Sequence, residues 1–198
     1  MLTCACSIIS VSRGLPMSHS AGTPSAIQLA LRRPDRVSAL VLMVPSAPGP
    51  GPMAPPKFIM RALFRLRDVV PGDLLSVEPN NRAKGFKVNT DDRAEISQRI
   101  GTMLPATPRR DAFLFDMFAS TPTIHSGYRF GDIFVPTMVV TAADDPLAFA
   151  ENAWRLAAAL PASRLLEVER GGHLLLGQAE VVGGQVKRFI REHAGAPA

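Results

Sequence analysis

The sequence predicts an α/β fold: a mostly parallel sheet flanked by helices, with a helical segment inserted into it. Two runs carry this expectation. Residues 37–44, VSALVLMV, and 137–142, TMVVTA, are almost continuously apolar, which is the pattern of strands buried on both faces of a parallel sheet. A third observation is the order helix, turn, buried strand, which implies a sheet covered by helices. Between the two runs, residues 57–120 read mostly at a helical period.

The elements follow in order. Residues 6–11 have the character of a short strand, but Arg13, Gly14 and Pro16 interrupt what comes next. Residues 22–33, GTPSAIQLALRR, read as a helix. Pro24 suits the first turn, and Ile27, Ala30 and Leu31 share one apolar face. Pro34-Asp35 stops the helix, and the strand 37–44 follows. Residues 45–56, PSAPGPGPMAPP, form a Pro/Gly-rich linker. Gly49 and Gly51 are each followed by proline, which removes the backbone donors that a phosphate loop needs.

The segment 57–120 holds Phe58, Phe64, Phe86, Phe113, Phe115 and Phe118, with apolar helical faces at FIMRALFRL and DAFLFDMF. These phenylalanines read mainly as core of a separate helical cap. The sheet pattern then resumes after Pro136 with strand 137–142. An alanine-rich helix is expected over 148–160, a strand over 164–169 (RLLEVE), and a last helix from about Gln178 to His193, before a loose AGAPA tail.

Composition bounds the rest. The chain has 198 residues, 46% hydrophobic and 20% charged, enough for one domain with a core and a modest insertion. Its net charge is +5. The densest basic group, Lys57, Arg61, Arg65 and Arg67, lies at helical spacing and reads as a solvated helix face. No nucleic-acid module or basic stripe interleaved with aromatics is present. The two cysteines, Cys4 and Cys6, are too close for an unstrained disulfide. The start MLTCACSIIS lacks the basic and apolar regions of a signal peptide. No apolar run approaches the roughly 20 residues of a membrane span. These features predict a reduced, cytoplasmic chain.

Three short segments carry chemistry. Ser18-His19-Ser20-Ala21-Gly22 opens a helix. A nucleophile held in a strained strand–turn–helix elbow needs very small residues two before and two after it, and Ser18 and Gly22 meet that demand around Ser20. The Ala21 N–H, at the helix amino end, is then a donor for a developing oxyanion. Ala143-Asp144-Asp145-Pro146 follows strand 137–142, and Gly171-Gly172-His173 follows strand 164–169. Catalytic groups of open α/β sheets gather at the carboxyl ends of strands. His173 suits a general base that takes the Ser20 proton, and a carboxylate suits its support. Each residue also has a plain alternative. Ser20 is a favoured helix cap, Asp145 is a candidate cap for the helix 148–160, His173 is a candidate loop histidine, and Asp144 competes with Asp145 as the acid. His19, His125 and His193 read as structural or exposed, with His125 a secondary candidate for lining a pocket.

Together these segments resemble alpha/beta hydrolases of the fold-1 type. SHSAGTPSAIQLALRRPDRVSALVLMVPSAP is similar to that family's elbow, helix and strand. VPTMVVTAADDPLAFAENAWRLAAALP is similar to its acid strand and loop, and RLLEVERGGHLLLG to its histidine loop. The resemblance covers about residues 18–47 and 132–192. It implies a nucleophile at Ser20, an acid at Asp145, a base at His173, and an oxyanion donor at Ala21. It further implies a hydrolase core over 1–47 and 132–198 with a helical cap over 48–131. Two departures stand out: Ser18 replaces a usual glycine, and Gly22-Thr23 replaces a frequent Gly-Gly. The family also carries strands before the elbow, where this chain has residues 1–19. The expectation is therefore an N-terminally truncated or frame-altered start, lacking the loop that supplies a second oxyanion donor.

The expected activity is hydrolysis of a carboxylic ester or lactone through an acyl-serine intermediate, with no metal or organic cofactor. The expected partner is a small-molecule substrate. An elbow strand without its outer neighbours has open backbone groups, so a homodimer or higher oligomer is expected. The rival expectation is a non-catalytic remnant of the same fold acting as a binding or assembly module.

Overall fold

In the computed structural model, residues 13–46, 58–59, 61–62, 90–101, 108, 110–115, 128–145 and 149–193 are described. The expected strand over 6–11, both cysteines, His125, most of the Pro/Gly-rich linker and the AGAPA tail lie outside them.

Four parallel strands form one sheet in the order β1-β2-β3-β4. They are β1 (Met17–His19), β2 (Leu40–Met43), β3 (Thr137–Ala142) and β4 (Ser163–Val168). The register pairs Ser18 with Leu42, Leu42 with Val139, and Val139 with Leu165. The helices are α1 (Thr23–Arg32), α2 (Thr90–Gly101), α3 (Arg110–Phe115), α4 (Phe149–Ala159) and α5 (Ala179–His193).

The side-chain alternation of β2 and β3 builds a core on each face of the sheet. On one face Leu40, Leu42 and Val139 pack with Ala26, Ile27 and Ala30 of α1 and with Ala153 and Leu156 of α4. On the other, Val41, Met138, Val140 and Ala142 pack with Val182, Val186 and Phe189 of α5. All six residues of β3 are buried, which is why the strand carries no charged residue and only threonines, Thr137 and Thr141, as polar ones. At β4 most side chains are exposed or half-buried, as suits the sheet's margin.

Boundaries differ from the sequence expectation for local reasons. β2 covers only the middle of the run 37–44. Val37 makes an isolated bridge to Gly14, and Val44 turns to a φ of 41°, which ends the extended conformation. The interrupted segment before Ser20 still yields a strand, but of three residues. The Ser38 and Val41 N–H groups donate to Gly14 and Pro16 carbonyls, so the chain around Pro16 supplies acceptors even where proline cannot donate. At the end of α1, Pro34–Arg36 form a tight turn, and the exposed Arg33 guanidinium donates to Asp35, holding its carboxyl below the ordinary value.

The inserted segment is helical where it is described, at 58–59, 61–62, α2 and α3. Ile96 and Leu114 are buried, whereas Phe58 is 73% exposed and Ile59 is 39% exposed. The apolar face expected at FIMRALFRL is therefore open to solvent at these two positions. Among the described residues no helix is long and apolar enough to cross a membrane, and no group of three or more His, Cys, Asp or Glu could hold a metal ion.

Candidate active site

Ser20, Asp145 and His173 come from three different strand ends, and the fold brings them together at the carboxyl edge of the sheet. Ser20 follows β1 directly and begins a tight turn over Ser20–Gly22 that leads into α1. Its φ is 50°, a left-handed conformation that a non-glycine residue adopts only when its surroundings impose it. Those surroundings are on hand. The Thr23 hydroxyl donates to the Ser20 carbonyl at 2.7 Å, and the Ser46 hydroxyl donates to the same oxygen at 3.1 Å. Ser46 reaches the elbow because Val44 bends the chain after β2, with its N–H bonded to the Val140 carbonyl at 2.7 Å.

The elbow is tight enough to restrict its flanks. A β-carbon built on Gly22 would stand 3.4 Å from the Ser18 β-carbon, leaving room for little more than a methyl group. Ser18 itself is buried, and its hydroxyl has no hydrogen-bond partner among the described residues. Ala21 is the second residue of the turn, at the amino end of α1.

Asp145 sits in the turn that leaves β3, where its N–H donates to the Ala142 carbonyl at 3.1 Å. Its side chain is fully buried. His173 lies in the short turn Gly172–Leu174 after β4. His173 Nδ1 is 2.9 Å from Asp145 Oδ2, and His173 Nε2 is 2.9 Å from Ser20 Oγ. A carboxylate only accepts hydrogen bonds, so with Asp145 ionised Nδ1 is the donor of this pair. Nε2 is then left as the acceptor for the Ser20 hydroxyl. The imidazole is 18% exposed. The His19 ring stands edge-on to it, with centroids 5.3 Å apart.

Asp144, the competing acid in the sequence, does not face the imidazole in this way. Its Oδ1 accepts from the Gly172 N–H at 2.8 Å and its Oδ2 from the Gly171 N–H at 3.3 Å. Thr23, Ser46 and the backbone role of Asp144 were not evident from the sequence. A threonine at the first helical position was visible, but its acceptor is set by the turn geometry. His193, at the end of α5, packs against Phe189.

The family model of the alpha/beta hydrolase fold matches residues 17–179, and the protein is a member of that family. Among curated proteins none matches. Solved structures of similar fold include a serine hydrolase from the bacterium Cycloclasticus zankles, with a TM-score of 0.63 and 16% identity over 94% of this chain and 66% of the other. The enol-lactonase from Burkholderia xenovorans gives a TM-score of 0.59 and 18% identity over 91% of this chain and 66% of that one. A hydrolase from Oleispira antarctica gives 0.55 and 22% over 91% and 66%. At these identities the likeness is one of fold. The chain spans 66% of the length of each of these three structures.

Proposed function

We propose that the protein is a serine hydrolase that cleaves a carboxylic ester or lactone through an acyl-serine intermediate. The observation that carries this reading is the line Ser20 Oγ, His173 Nε2, His173 Nδ1, Asp145 Oδ2, with 2.9 Å at each of its two hydrogen bonds and Ser20 strained at its head.

In this reading Ser20 Oγ attacks the substrate carbonyl carbon while His173 Nε2 takes its proton. Asp145 keeps the imidazole in the tautomer that leaves Nε2 free to accept, and it stabilises the imidazolium that forms. The Ala21 N–H, at the amino end of α1, donates to the oxyanion. The imidazolium then protonates the leaving alcohol oxygen as the ester bond breaks. Water attacks the acyl-serine by the same route in reverse, releasing the acid and restoring the Ser20 hydroxyl. No step requires a metal or organic cofactor.

The same reading divides the chain into a hydrolase core at 1–47 and 132–198 and a cap at 48–131, acting on a small molecule in the cytoplasm. It also includes self-association. Among the described residues β1 has a strand neighbour on one side only, and Met17 is exposed. Such an edge is a template for pairing with another copy. A single monomeric species in light scattering across the working concentration range would count against the dimer.

Labelling with a fluorophosphonate probe tests the chemistry. Modification mapped to Ser20, and lost in Ser20→Ala, supports the reading, and a panel of esters and lactones then defines the substrate. A folded protein that takes up no label overturns it in favour of a non-catalytic binding or assembly module.

A further inference from the structure

The two consecutive carboxylates after β3 hold the same histidine turn by different handles. Asp145 takes the ring of His173. Asp144 takes the backbone immediately before it, accepting from Gly171 and Gly172 N–H at 3.3 and 2.8 Å. Gly171 and Gly172 have φ of 139° and 56°, conformations that let successive N–H groups converge on one anion. Hydrogen bonds to a carboxylate are stronger than neutral ones, and both donors here belong to the two residues that precede His173.

The turn is also drawn tightly onto itself. The Leu175 N–H donates to the Gly172 carbonyl at 3.2 Å, and the Leu176 N–H donates to the Gly171 carbonyl at 2.9 Å. Leu175 is left-handed, with a φ of 54°. A β-carbon on Gly171 would stand 3.0 Å from Leu175 Cα. Asp144 ties this compact turn to the loop that carries Asp145.

We infer that Asp144 is a positioning residue: by clamping the Gly171-Gly172 backbone to the acid loop, it fixes where the His173 imidazole stands between Asp145 and Ser20. Without it the turn keeps its internal hydrogen bonds but loses its backbone tie to the acid loop. The ring then samples positions from which Nε2 does not reach Ser20 Oγ. The kinetic consequence rests on the hydrolase reading above; the structural consequence does not.

The test compares the full-length protein with Asp144→Asn, Asp144→Ala and Ser163→Ala. Ser163 is a control at the opposite, amino end of β4, where its hydroxyl donates to the Ala157 carbonyl at 2.6 Å. Three quantities are read: kcat and KM on a p-nitrophenyl ester, the thermal midpoint, and the low-field NMR resonance of the His173 Nδ1 proton, assigned by its loss in His173→Gln. Misplacement of a reacting group by about 1 Å can cost about 10²-fold. Asp144→Ala is expected to lower kcat by about that factor, with KM within about twofold. Asp144→Asn keeps one accepting oxygen and is expected to fall between it and wild type. The Nδ1 resonance broadens or disappears in Asp144→Ala well below its thermal midpoint. Ser163→Ala lowers the midpoint but leaves kcat and the resonance unchanged.

Wild-type kcat and a sharp resonance in Asp144→Ala would overturn the inference, as would a kcat loss that merely follows the unfolded fraction. If Asp144→Ala does not fold, Asp144→Asn decides by the same two readouts. A wild-type protein that is inert to both ester and probe removes the hydrolase reading alone. The resonance then decides: lost in Asp144→Asn it supports the clamp, while unchanged in Asp144→Asn, or absent from the wild type, it overturns it.

Discussion

Ser20 Oγ and His173 Nε2 stand 2.9 Å apart although 153 positions separate them in the chain. Neither end of this contact is free to drift. Ser20 is held by hydroxyls from Thr23 and Ser46 on its carbonyl, and His173 is held through its other nitrogen by the buried Asp145. If the pair works as one nucleophile, removing either member removes the same step. Ser20→Ala and His173→Ala are each expected to lower kcat by at least about 10⁴-fold, and the double variant to be little worse than either single one. Hydrolysis rates of the three variants, measured with active-site concentrations matched by absorbance and circular dichroism, check this. Multiplicative losses would show that the two side chains act separately.

Asp145→Asn should leave the fold intact and the rate badly impaired. The amide retains the shape of the carboxylate but presents a donor as well as an acceptor, so it no longer enforces the proton on Nδ1. A loss of about 10⁴-fold in kcat is expected. The thermal midpoint and the kinetics of the purified variant, read side by side, separate this from unfolding.

The glycines of the histidine turn should not be equivalent. Gly171 has a φ of 139°, and an added β-carbon would meet Leu175 Cα at 3.0 Å, whereas Gly177 has a φ of 69° with nothing within 4 Å. Gly177→Ala carries only the left-handed penalty, about 1 kcal/mol. Gly171→Ala carries backbone strain of about 1–3 kcal/mol and a clash in addition. Urea unfolding of the two variants should therefore rank Gly171→Ala as clearly the less stable, and equal midpoints would refute the strain argument.

Ser18 offers a stabilising change. Its hydroxyl is buried and has no partner among the described residues, and the cost of such a group is of the order of 1–3 kcal/mol. Ser18→Ala removes the oxygen while keeping the β-carbon that fits against Gly22. A gain of about 1 kcal/mol in unfolding free energy is expected, with labelling of Ser20 retained. An unchanged or lower denaturation midpoint would mean the hydroxyl is satisfied.

Burial predicts a further contrast across the sheet. Leu156 on α4 is fully buried in the cluster with Val139 and Ile27, while Leu165 on β4 is 39% exposed. Leu156→Ala should cost about 2–5 kcal/mol. Leu165→Ala should cost clearly less, because part of its surface already meets water. Chemical denaturation of both variants measures the difference.

The layered α/β plan was legible in the sequence, since a run such as TMVVTA, uncharged throughout and polar only at two threonines, has few uses other than a strand covered on both faces. The sequence also determined which residues stand at strand ends, because Ser20, Asp145 and His173 each follow or open a recognisable element. It did not determine where β2 ends, because the break at Val44 comes from a left-handed backbone at a β-branched residue that local propensity disfavours. Residue type and strand-end position did not separate the two aspartates, although the family resemblance favoured Asp145. Asp144 and Asp145 are chemically identical and adjacent. Packing of the turn after β4 against the loop after β3 makes the choice: one carboxylate meets an imidazole and the other a pair of backbone N–H groups. That decision rests on contacts 27 and 28 residues apart in sequence, and such contacts are formed by the packing of the sheet rather than by any local preference of the chain.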